Sequence, residues 1–426
     1  MTQPPSGTTW APSGTESAPS RTNWAGNVDY RARELARPGS LDELAALIAA
    51  SPSIRAAGSG HTFNAIADAD VMVTTAGLPG EIEIDGDRAW VPAHTRYADL
   101  CPVLDEAGWA LPALASLPHI SVAGSIATGT HGTGDRTGNL ATQVTGLELV
   151  TGTGDHLRLG PDDPDFAGAV VNLGALGVVT RVHLRLEPRF DVAQRVFTDL
   201  DWGVVEDHFD ELTSAATGVS LFTRYGDVVD EVWLKQRLDQ GPLADDLFGA
   251  TAATRPLHPI VGLAPDNVTE QLGVPGPWFA RWPHFLPDKA PASGKEIQSE
   301  FFVRRDQAVE AIAALRDLHP VLDEVLMISE IRTVAADDLW LSPAQGQHVV
   351  GLHLTWHPRP GDIVPVLAEV ERALAPFEPR VHWGKLLVND RGIADRFARA
   401  DDFRELAQRF DPQGRFANDW FRRTFG

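Results

Sequence analysis

The sequence predicts an α+β protein with more than one domain, and three observations support this expectation. The chain has 426 residues, of which 43% are hydrophobic, enough for two or three domains at roughly 150 residues each. Short β-type runs and amphipathic helices follow one another along the first part of the chain. From about Arg189 the segments become longer and Pro-rich connectors separate them, which indicates a domain boundary there.

The first domain is expected to span residues 22–188. A capping box at Ser40-Leu41-Asp42-Glu43 begins a helix that ends at Pro52, because the Ser40 hydroxyl can accept from the backbone while the Glu43 carboxylate reaches back. A second helix is expected over residues 95–107. Strands are expected over residues 54–57, 71–75, 81–84, 89–92, 144–151 and 178–186.

The second domain is expected to span residues 189–380, and the segment 381–426 is expected to return to the first domain. The predicted elements of this part are helices over residues 306–318 and 363–376 and strands over residues 325–334 and 349–356. Residues 1–21 are rich in Pro, Ser, Thr and Gly and lack the apolar core of a signal peptide. We expect them to form a disordered tail.

Charge and cysteine content exclude several classes of partner. The chain has 36 Lys and Arg against 58 Asp and Glu, a net charge of −22, so it offers no positive surface to nucleic acid or to anionic lipid. No apolar run reaches membrane-spanning length. Cys101 is the single cysteine, which fits a reducing compartment. We expect a cytoplasmic monomer that binds a small molecule.

Two Gly-rich loops imitate nucleotide-binding motifs without matching them. The loop at residues 58–63 has Phe63 where a dinucleotide-binding motif needs a third glycine, and the loop at residues 124–129 lacks the lysine of a P-loop. Backbone N–H groups of such loops can still hold a diphosphate, and ordinary tight turns are the alternative. His61 lies in the first loop, where the neighbouring glycines provide too few side chains to bury an imidazole as part of a hydrophobic core.

Polar residues alternate with apolar ones along two of the predicted strands. At a period of two, Glu330 and Arg332 share one face, and His353 and Thr355 share one face. Neighbouring strands of this kind would direct a carboxylate, a guanidinium, an imidazole and a hydroxyl into one cavity, which suits a ligand with many hydroxyl groups. A solvated sheet face with a surface ion pair is the alternative.

His357 and Lys385 are two further residues with the chemistry of a site. His353 and His357 are four residues apart, but the β-type alternation around them opposes the helical spacing of a zinc site. Lys385 lies in an apolar and aromatic stretch, Val381 to Leu386. A lysine there can stabilise negative charge on a cofactor or substrate oxygen, or extend its charged end to solvent.

Six motifs follow one another in a fixed order along the chain. They are Gly58-Ser59-Gly60-His61-Thr62-Phe63-Asn64, Ser116-Leu117-Pro118-His119-Ile120-Ser121-Val122-Ala123-Gly124-Ser125, Thr128-Gly129-Thr130-His131-Gly132, Gly174-Ala175-Leu176-Gly177-Val178-Val179-Thr180, Glu330-Ile331-Arg332 and His382-Trp383-Gly384-Lys385. In this order they resemble the motifs of alditol oxidases, also called xylitol oxidases, which are FAD flavoproteins of the vanillyl-alcohol oxidase type. The resemblance extends from about Asn23 to Phe421.

The resemblance implies a two-domain fold of the vanillyl-alcohol oxidase type. Residues 22–188 would form an FAD-binding domain of two α+β subdomains, and residues 189–380 a substrate-binding cap domain with a large antiparallel sheet. The resemblance also implies FAD attached covalently through His61, with a single link because no cysteine lies near residues 129–132. The other FAD-binding residues that it implies are Ala56, Ala57, Gly58, Ser59, Gly60, Thr62, Ser116, Leu117, Ser121, Gly124, Ser125, Ile126, Ala127, Gly177, Val178, Val179 and Lys385.

The activity implied by the resemblance is oxidation of the terminal primary hydroxyl of an acyclic polyol such as xylitol or sorbitol. Hydride passes to flavin N5 and O2 is reduced to H2O2. Arg332 and Lys385 would favour the deprotonated hydroxyl, and Glu330 and His353 would orient its neighbour, with the proton acceptor left open. The implied substrate-binding residues are Ser116, Glu330, Arg332, His353, Thr355 and Lys385.

Three other functions stay open at the level of sequence. An aldonolactone oxidase or dehydrogenase of the same superfamily shares the Gly-Ser-Gly-His loop, the Glu-x-Arg pair and a similar His-Trp-x-Lys segment. His353 with Thr355, and Gly384 before Lys385, favour polyols. A non-catalytic flavin-binding or sugar-binding module and a metal-dependent hydrolase are the more distant alternatives.

Overall fold

The computed structural model describes residues 22–32 and 35–426. The tail expected at residues 1–21 lies outside these residues. The described chain combines helices with largely antiparallel sheets, which confirms the α+β class. None of its helices has the length and apolarity needed to cross a membrane.

The first helix, α1 (Leu41–Ala50), begins where the capping box predicts. The Ser40 hydroxyl accepts from the Glu43 backbone N–H at 3.2 Å. The Glu43 carboxylate reaches back one residue further than expected and accepts from the backbone N–H of Gly39 at 2.7 Å. Both contacts satisfy donors that a helix start leaves without partners.

Up to residue 188 the predicted elements are all present, together with additional elements that were not predicted. The further helices are α2 (Tyr97–Glu106), α3 (Val122–Ala127) and α4 (Phe166–Val170). The strands are β1 (Leu35–Ala36), β2 (Ile54–Ala56), β3 (Val71–Val73), β4 (Glu83–Asp85), β5 (Arg88–Pro92), β6 (Trp109–Ala110), β7 (Val144–Val150), β8 (His156–Leu159), β9 (Val178–Arg185) and β10 (Glu187–Pro188). The additional elements are α3, α4, β1, β6, β8 and β10. Strands β1, β3 and β2 form a parallel sheet, and β4, β5, β9, β7 and β8 form an antiparallel one.

The elements from residue 191 onward build a nine-stranded antiparallel sheet. Its strands are β11 (Asp191–Leu200), β12 (Gly218–Thr223), β13 (Val229–Arg237), β14 (Thr251–Ala252), β15 (Gly276–Pro277), β16 (Ile297–Arg304), β17 (Leu326–Val334), β18 (Val349–Trp356) and β19 (Arg380–Val381). The central order is β13-β12-β17-β18-β16. The helices are α5 (Trp202–Asp207), α6 (Phe209–Thr213), α7 (Ala308–Arg316), α8 (His319–Leu322), α9 (Pro360–Leu374), α10 (Ala400–Phe410) and α11 (Asp419–Phe425).

Strand β18 lies in the middle of this sheet and has two different faces. Leu352, Leu354 and Trp356 are fully buried in the main core together with residues of α7 and α9. Each such side chain contributes about 1.5–3 kcal/mol by leaving water. Burial of this apolar face directs the alternate residues of β18 to the opposite side of the sheet.

Helix α9 begins three residues earlier than predicted. Its first residue is Pro360 rather than Ile363. Proline is tolerated at the first helical position because the N–H that it lacks would have no partner there. The helix buries Ile363, Leu367, Val370 and Leu374 against the sheet.

The C-terminal segment contacts residues near the start of the chain. The Asn418 side-chain amide lies within hydrogen-bond distance of the carbonyl oxygens of Ala65, Ile66 and Asp68, at 3.0, 3.2 and 2.8 Å. The backbone N–H of Ile54 in β2 donates to the Arg415 carbonyl at 2.9 Å. These contacts attach the chain end to the parallel sheet.

Candidate active site

A cavity of about 290 Å³ connects the two parts of the chain. One end is lined by the loop that follows β2 and by α3, and the other end by the polar face of β16, β17 and β18. Almost all the predicted site residues line this one cavity: Ala56, Ala57, Gly58, Ser59, Gly60, His61, Thr62, Ser116, Leu117, Ser121, Gly124, Ser125, Ala127, Gly177, Val179, Glu330, Arg332, His353, Thr355 and Lys385.

Two of the predicted cofactor-binding residues direct their side chains elsewhere. Ile126 packs in the main core and is 1% exposed, and Val178 is fully buried in a second core beside α1. Val178 follows the alternation of β9, in which Gly177 and Val179 lie toward the cavity. Only the backbone groups of Ile126 and Val178 are therefore available to a ligand.

The Gly-rich loop at residues 58–63 closely approaches the second Gly-rich stretch at the first end of the cavity. This second stretch, expected as a loop over residues 124–129, is helical as far as Ala127, the last residue of α3. A Cβ atom on Gly58 would lie 2.6 Å from the Ser121 hydroxyl oxygen, and one on Gly124 would lie 2.7 Å from it. The backbone N–H of Ser121 donates to the Ser59 hydroxyl at 3.2 Å. Only glycine allows this approach, which leaves bare backbone facing the cavity.

His61, in the Gly-rich loop at residues 58–63, lies in the wall of the cavity. Its ring stacks on Trp24 at 5.2 Å between centroids, with 19° between the planes. Neither ring nitrogen has a hydrogen-bond partner among the described residues. Burial, with smaller contributions from His119 and Lys385, lowers the pKa of His61 to about 3, so the ring is neutral at physiological pH.

The polar face of the nine-stranded sheet brings the predicted substrate residues together. His353 of β18 lies directly opposite Glu330 of β17, and Arg332 lies one step along the same face. The Arg332 guanidinium also reaches Ser116, with 3.5 Å from Nη1 to the Ser116 hydroxyl oxygen. Thr355 lies next to His353 on this face and lines the cavity.

Glu330 and Arg332 are ionised although both are buried. Burial favours the neutral carboxyl, but Arg332 and His284 outweigh it and hold the pKa of Glu330 well below its usual range. Arg332 Nε lies 3.6 Å from the Glu330 carboxylate, and His284 Nε2 lies 2.9 Å from it. The face therefore presents fixed charges of both signs to the cavity.

Lys385 stands at the junction of the two ends. Its Nζ donates to the Gln298 side-chain oxygen and lies 5.0 Å from the centroid of the Phe63 ring. The Asn64 side-chain amide fixes its backbone through the carbonyls of Trp383 and Lys385, at 2.8 Å each. Burial lowers the pKa of Lys385 to about 8, with Glu300 opposing the shift.

Comparison with known proteins gives relatives over nearly the whole chain. The alditol oxidase of Streptomyces sp. (strain IKD472 / FERM P-14339) is 44% identical over 94% of this chain and 98% of the relative. The chain belongs to the alditol oxidase family. Residues 32–160 match the model of an FAD binding domain, and residues 294–424 match the model named D-arabinono-1,4-lactone oxidase.

More distant relatives have names that refer to lactones. An L-gulono-1,4-lactone dehydrogenase of Mycobacterium tuberculosis is 28% identical over 95% of this chain and 99% of the relative. An L-gulonolactone oxidase of Mus musculus is 24% identical over 95% of this chain and 97% of the relative.

Several polar residues of the family member's cavity were missed by the sequence reasoning. Gln298 and Glu300 of β16, with Glu296 directly before the strand, occupy alternate positions, a period of two that could have revealed their shared face. His131 and His284 lie in irregular segments, where no periodicity marks the face of a side chain. Their proximity to Glu300 and Glu330 arises only from the folded chain.

Proposed function

We propose that this protein is an FAD-dependent oxidase that converts the terminal primary hydroxyl of acyclic polyols such as xylitol and sorbitol to the aldehyde, with O2 reduced to H2O2. The observation that carries the proposal is the row of Glu330, Arg332 and His353 on one sheet face beside Lys385 in the cavity. Buried donors and acceptors of both signs suit a ligand with hydroxyl groups on consecutive carbons. The relative named alditol oxidase supports the same assignment.

The residues at the first end of the cavity fit FAD. The glycines at 58 and 124 leave backbone N–H groups free to hold a diphosphate, and the match of residues 32–160 to an FAD binding domain supports this. When bound, FAD accepts a hydride from the alcohol carbon and delivers two electrons to O2. His61 would carry the cofactor covalently, since its neutral and unpartnered nitrogens can act as nucleophiles.

The cations of the site would act on the reacting hydroxyl. Arg332 and the protonated form of Lys385 favour a deprotonated oxygen beside them. Glu330 is ionised and accepts from the neighbouring hydroxyl, which orients the polyol chain. His353 is neutral because burial lowers its pKa, an effect that Glu300 partly offsets. Its ring can therefore accept a proton.

The chain would divide into two domains. Residues 22–188, with the returning segment 381–426, would form the FAD-binding domain, and residues 189–380 the cap domain. The contacts of Asn418 and Arg415 with residues 54–68 support the return of the chain end. The nine-stranded sheet, which spans residues 191–381, supports the position of the cap.

The test is peroxide production by purified protein loaded with FAD. We expect H2O2 from xylitol or sorbitol, and a lower kcat/KM for L-gulono-1,4-lactone, which is cyclic and lacks the extended row of hydroxyls. Mannitol and glycerol extend the panel. Absence of peroxide from all four polyols would refute the proposal, and preference for the lactone would support the aldonolactone oxidase alternative that the match over residues 294–424 favours.

A further inference from the structure

Glu300 holds three polar groups of the site at once. Its Oε1 accepts from Arg332 Nη2 at 2.6 Å and from His131 Nε2 at 3.0 Å. Its Oε2 lies 3.3 Å from Nδ1 of His353. The side chain is 1% exposed, and Oε2 has no hydrogen-bond partner among the described residues.

We propose that Glu300 is a positioning residue for polyol oxidation: it fixes the Arg332 guanidinium and turns the His353 ring so that Nε2 faces the substrate. This inference rests on the proposed function. Glu300 would act through Arg332 and His353 without binding a substrate hydroxyl itself.

Strand register places Glu300 for this role. Glu300 of β16, His353 of β18 and Glu330 of β17 lie directly opposite one another across three adjacent strands. The imidazole of His353 is therefore flanked by two carboxylates. Nδ1 lies beside the Glu300 carboxylate, although neither Nδ1 nor Oε2 has a hydrogen-bond partner among the described residues. Because Nδ1 is taken to this side, Nε2 is the ring nitrogen that we infer to face the cavity.

Gly351 of the intervening strand lies beside Glu300, Phe302 and His131. Gly351 of β18 lies directly opposite Arg332 of β17. A Cβ atom at Gly351 would lie 3.4 Å from Glu300 Oε1 and 3.5 Å from Cε1 of His131. These two are ordinary van der Waals distances, whereas the same Cβ atom would lie 3.2 Å from Cε1 of Phe302, the ring that packs against His131. A side chain at residue 351 would therefore press on the aromatic support of His131.

His131 supports Glu300 from the other side. Its Nδ1 lies 2.8 Å from the Gly132 carbonyl oxygen, and its Nε2 faces the Glu300 carboxylate. Nε2 also lies 3.5 Å from Arg332 Nη2, so the ring contacts both members of the Glu300–Arg332 ion pair. The ring is 2% exposed and packs edge-on against Phe302 at 5.0 Å. The contact with this packed ring holds the Glu300 carboxylate in place.

The test compares wild-type and Glu300→Gln holoenzymes in anaerobic stopped-flow with xylitol. Glutamine keeps the shape and an acceptor oxygen but removes the charge. We expect the rate of flavin reduction at saturating xylitol to fall about 10–100-fold, as misplacement of the reacting groups by up to about 1 Å does. We expect reoxidation by O2 and the flavin content to stay unchanged.

The pH profile of flavin reduction separates positioning from a merely structural effect. The wild type is expected to need neutral His353 on the acid side and protonated Lys385, with its pKa of about 8, on the alkaline side. Glu300 raises the pKa of both groups, so its loss should move both limbs to lower pH. The other charged or titratable groups near them are His131, His284, Glu296, Glu330, Arg332 and His382.

Two further variants keep the test decisive. Glu300→Asp retains the charge but withdraws the carboxylate from Arg332. We therefore expect slower flavin reduction, with both limbs of its pH profile at the wild-type positions. Glu231→Gln is the matched control, because Glu231 is a buried carboxylate of the same sheet that accepts from Trp233 at 2.7 Å outside the cavity. We expect Glu231→Gln to behave as wild type.

The outcomes distinguish this inference from the proposed function. If wild-type protein with bound FAD is not reduced by xylitol, the proposed function fails. If the wild type is reduced and either Glu300 variant reacts at the wild-type rate, Glu300 is not a positioning residue. A slower Glu300→Gln variant whose pH limbs coincide with those of the wild type would also overturn the inference, because it would show a structural role alone.

Discussion

The imidazole of His61 is held by stacking and not by hydrogen bonds. Trp24 lies parallel to it and is itself fixed by a 2.8 Å bond from its backbone N–H to the Gly60 carbonyl. A buried and neutral ring nitrogen without a partner carries an unsatisfied polar atom, which is unfavourable by about 1–3 kcal/mol. A covalent bond to a cofactor would remove that penalty.

We therefore expect His61→Ala to bind FAD without retaining it after denaturation. Acid precipitation of the wild type should leave a yellow pellet, whereas the variant should release its flavin into the supernatant. His183→Ala is the matched control, because His183 also stacks on a tryptophan, Trp90, at 4.5 Å and does not line the cavity. A colourless wild-type pellet, or a His61→Ala pellet that stays yellow, would contradict the covalent link.

Individual site residues differed in how far the sequence could reveal them. Glu330, Arg332 and His353 follow a period of two, so their shared face could be inferred before the fold was known. Glu300 follows the same period, but its strand was not among the predicted elements. His284 could not be found in this way, because its loop has no repeating geometry and its contact with Glu330 joins residues 46 positions apart.

Among the single elements, strand β18 connects the candidate active site with the hydrophobic core. His353 and Thr355 face the cavity, while Leu352, Leu354 and Trp356 are buried in the main core, which also contains residues of α7 and α9. The two faces contribute separately, because the apolar one supplies stability and the polar one supplies chemistry. A change on the apolar face should therefore affect unfolding more than turnover.

Leu354→Ala tests this separation. We expect the free energy of unfolding to fall by about 2–5 kcal/mol, the usual loss for a buried leucine truncated to alanine. The kcat of the remaining folded protein on xylitol should stay close to wild type. Val364→Ala on α9, where the side chain is 44% exposed, should change stability by less than about 0.5 kcal/mol.

Denaturant unfolding monitored by tryptophan fluorescence, with kcat measured per bound flavin, provides both quantities. A Leu354→Ala variant that loses turnover without losing stability would contradict the division between the two faces of β18.

At the scale of the whole molecule, the C-terminal helix is connected to residues 55–68 of the FAD-binding-domain match. Asn418 caps α11 by accepting from the backbone N–H of Phe421 at 2.9 Å. Its amide contacts three carbonyls of residues 65–68, and its oxygen lies 3.4 Å from the buried Arg55 guanidinium. One side chain thus connects the last helix, the loop after β2 and a cation of the cavity wall.

We expect Asn418→Ala to lower the free energy of unfolding by about 2–4 kcal/mol, the sum of a lost helix cap and of buried carbonyls left without a donor. Thermal or denaturant unfolding of the apoprotein and the holoprotein measures the effect. Asn389→Ala, at an exposed position near the chain end, is the control and should unfold as wild type. Equal stability of the two variants would show that the Asn418 contacts are dispensable.

Helices and strands could be predicted from the sequence where capping residues or alternation over a few residues determine them. The helix at Ser40 and the strands over residues 325–334 and 349–356 could be placed because capping and alternation are encoded within a few residues. The order of strands in the nine-stranded sheet could not be derived from the residues. It depends on pairings such as β12 with β17, which join segments about a hundred residues apart.

The row of Glu300, His353 and Glu330 also has a consequence for folding. A slip of β18 by one residue against β17 would exchange the two faces and bring His353 and Thr355 into the apolar core. Both carboxylates would then lose their buried partners, which is strongly unfavourable. The residues that we propose to perform the chemistry therefore also exclude misaligned sheets, so substitutions that make this row apolar would be expected to permit alternative alignments of the central strands.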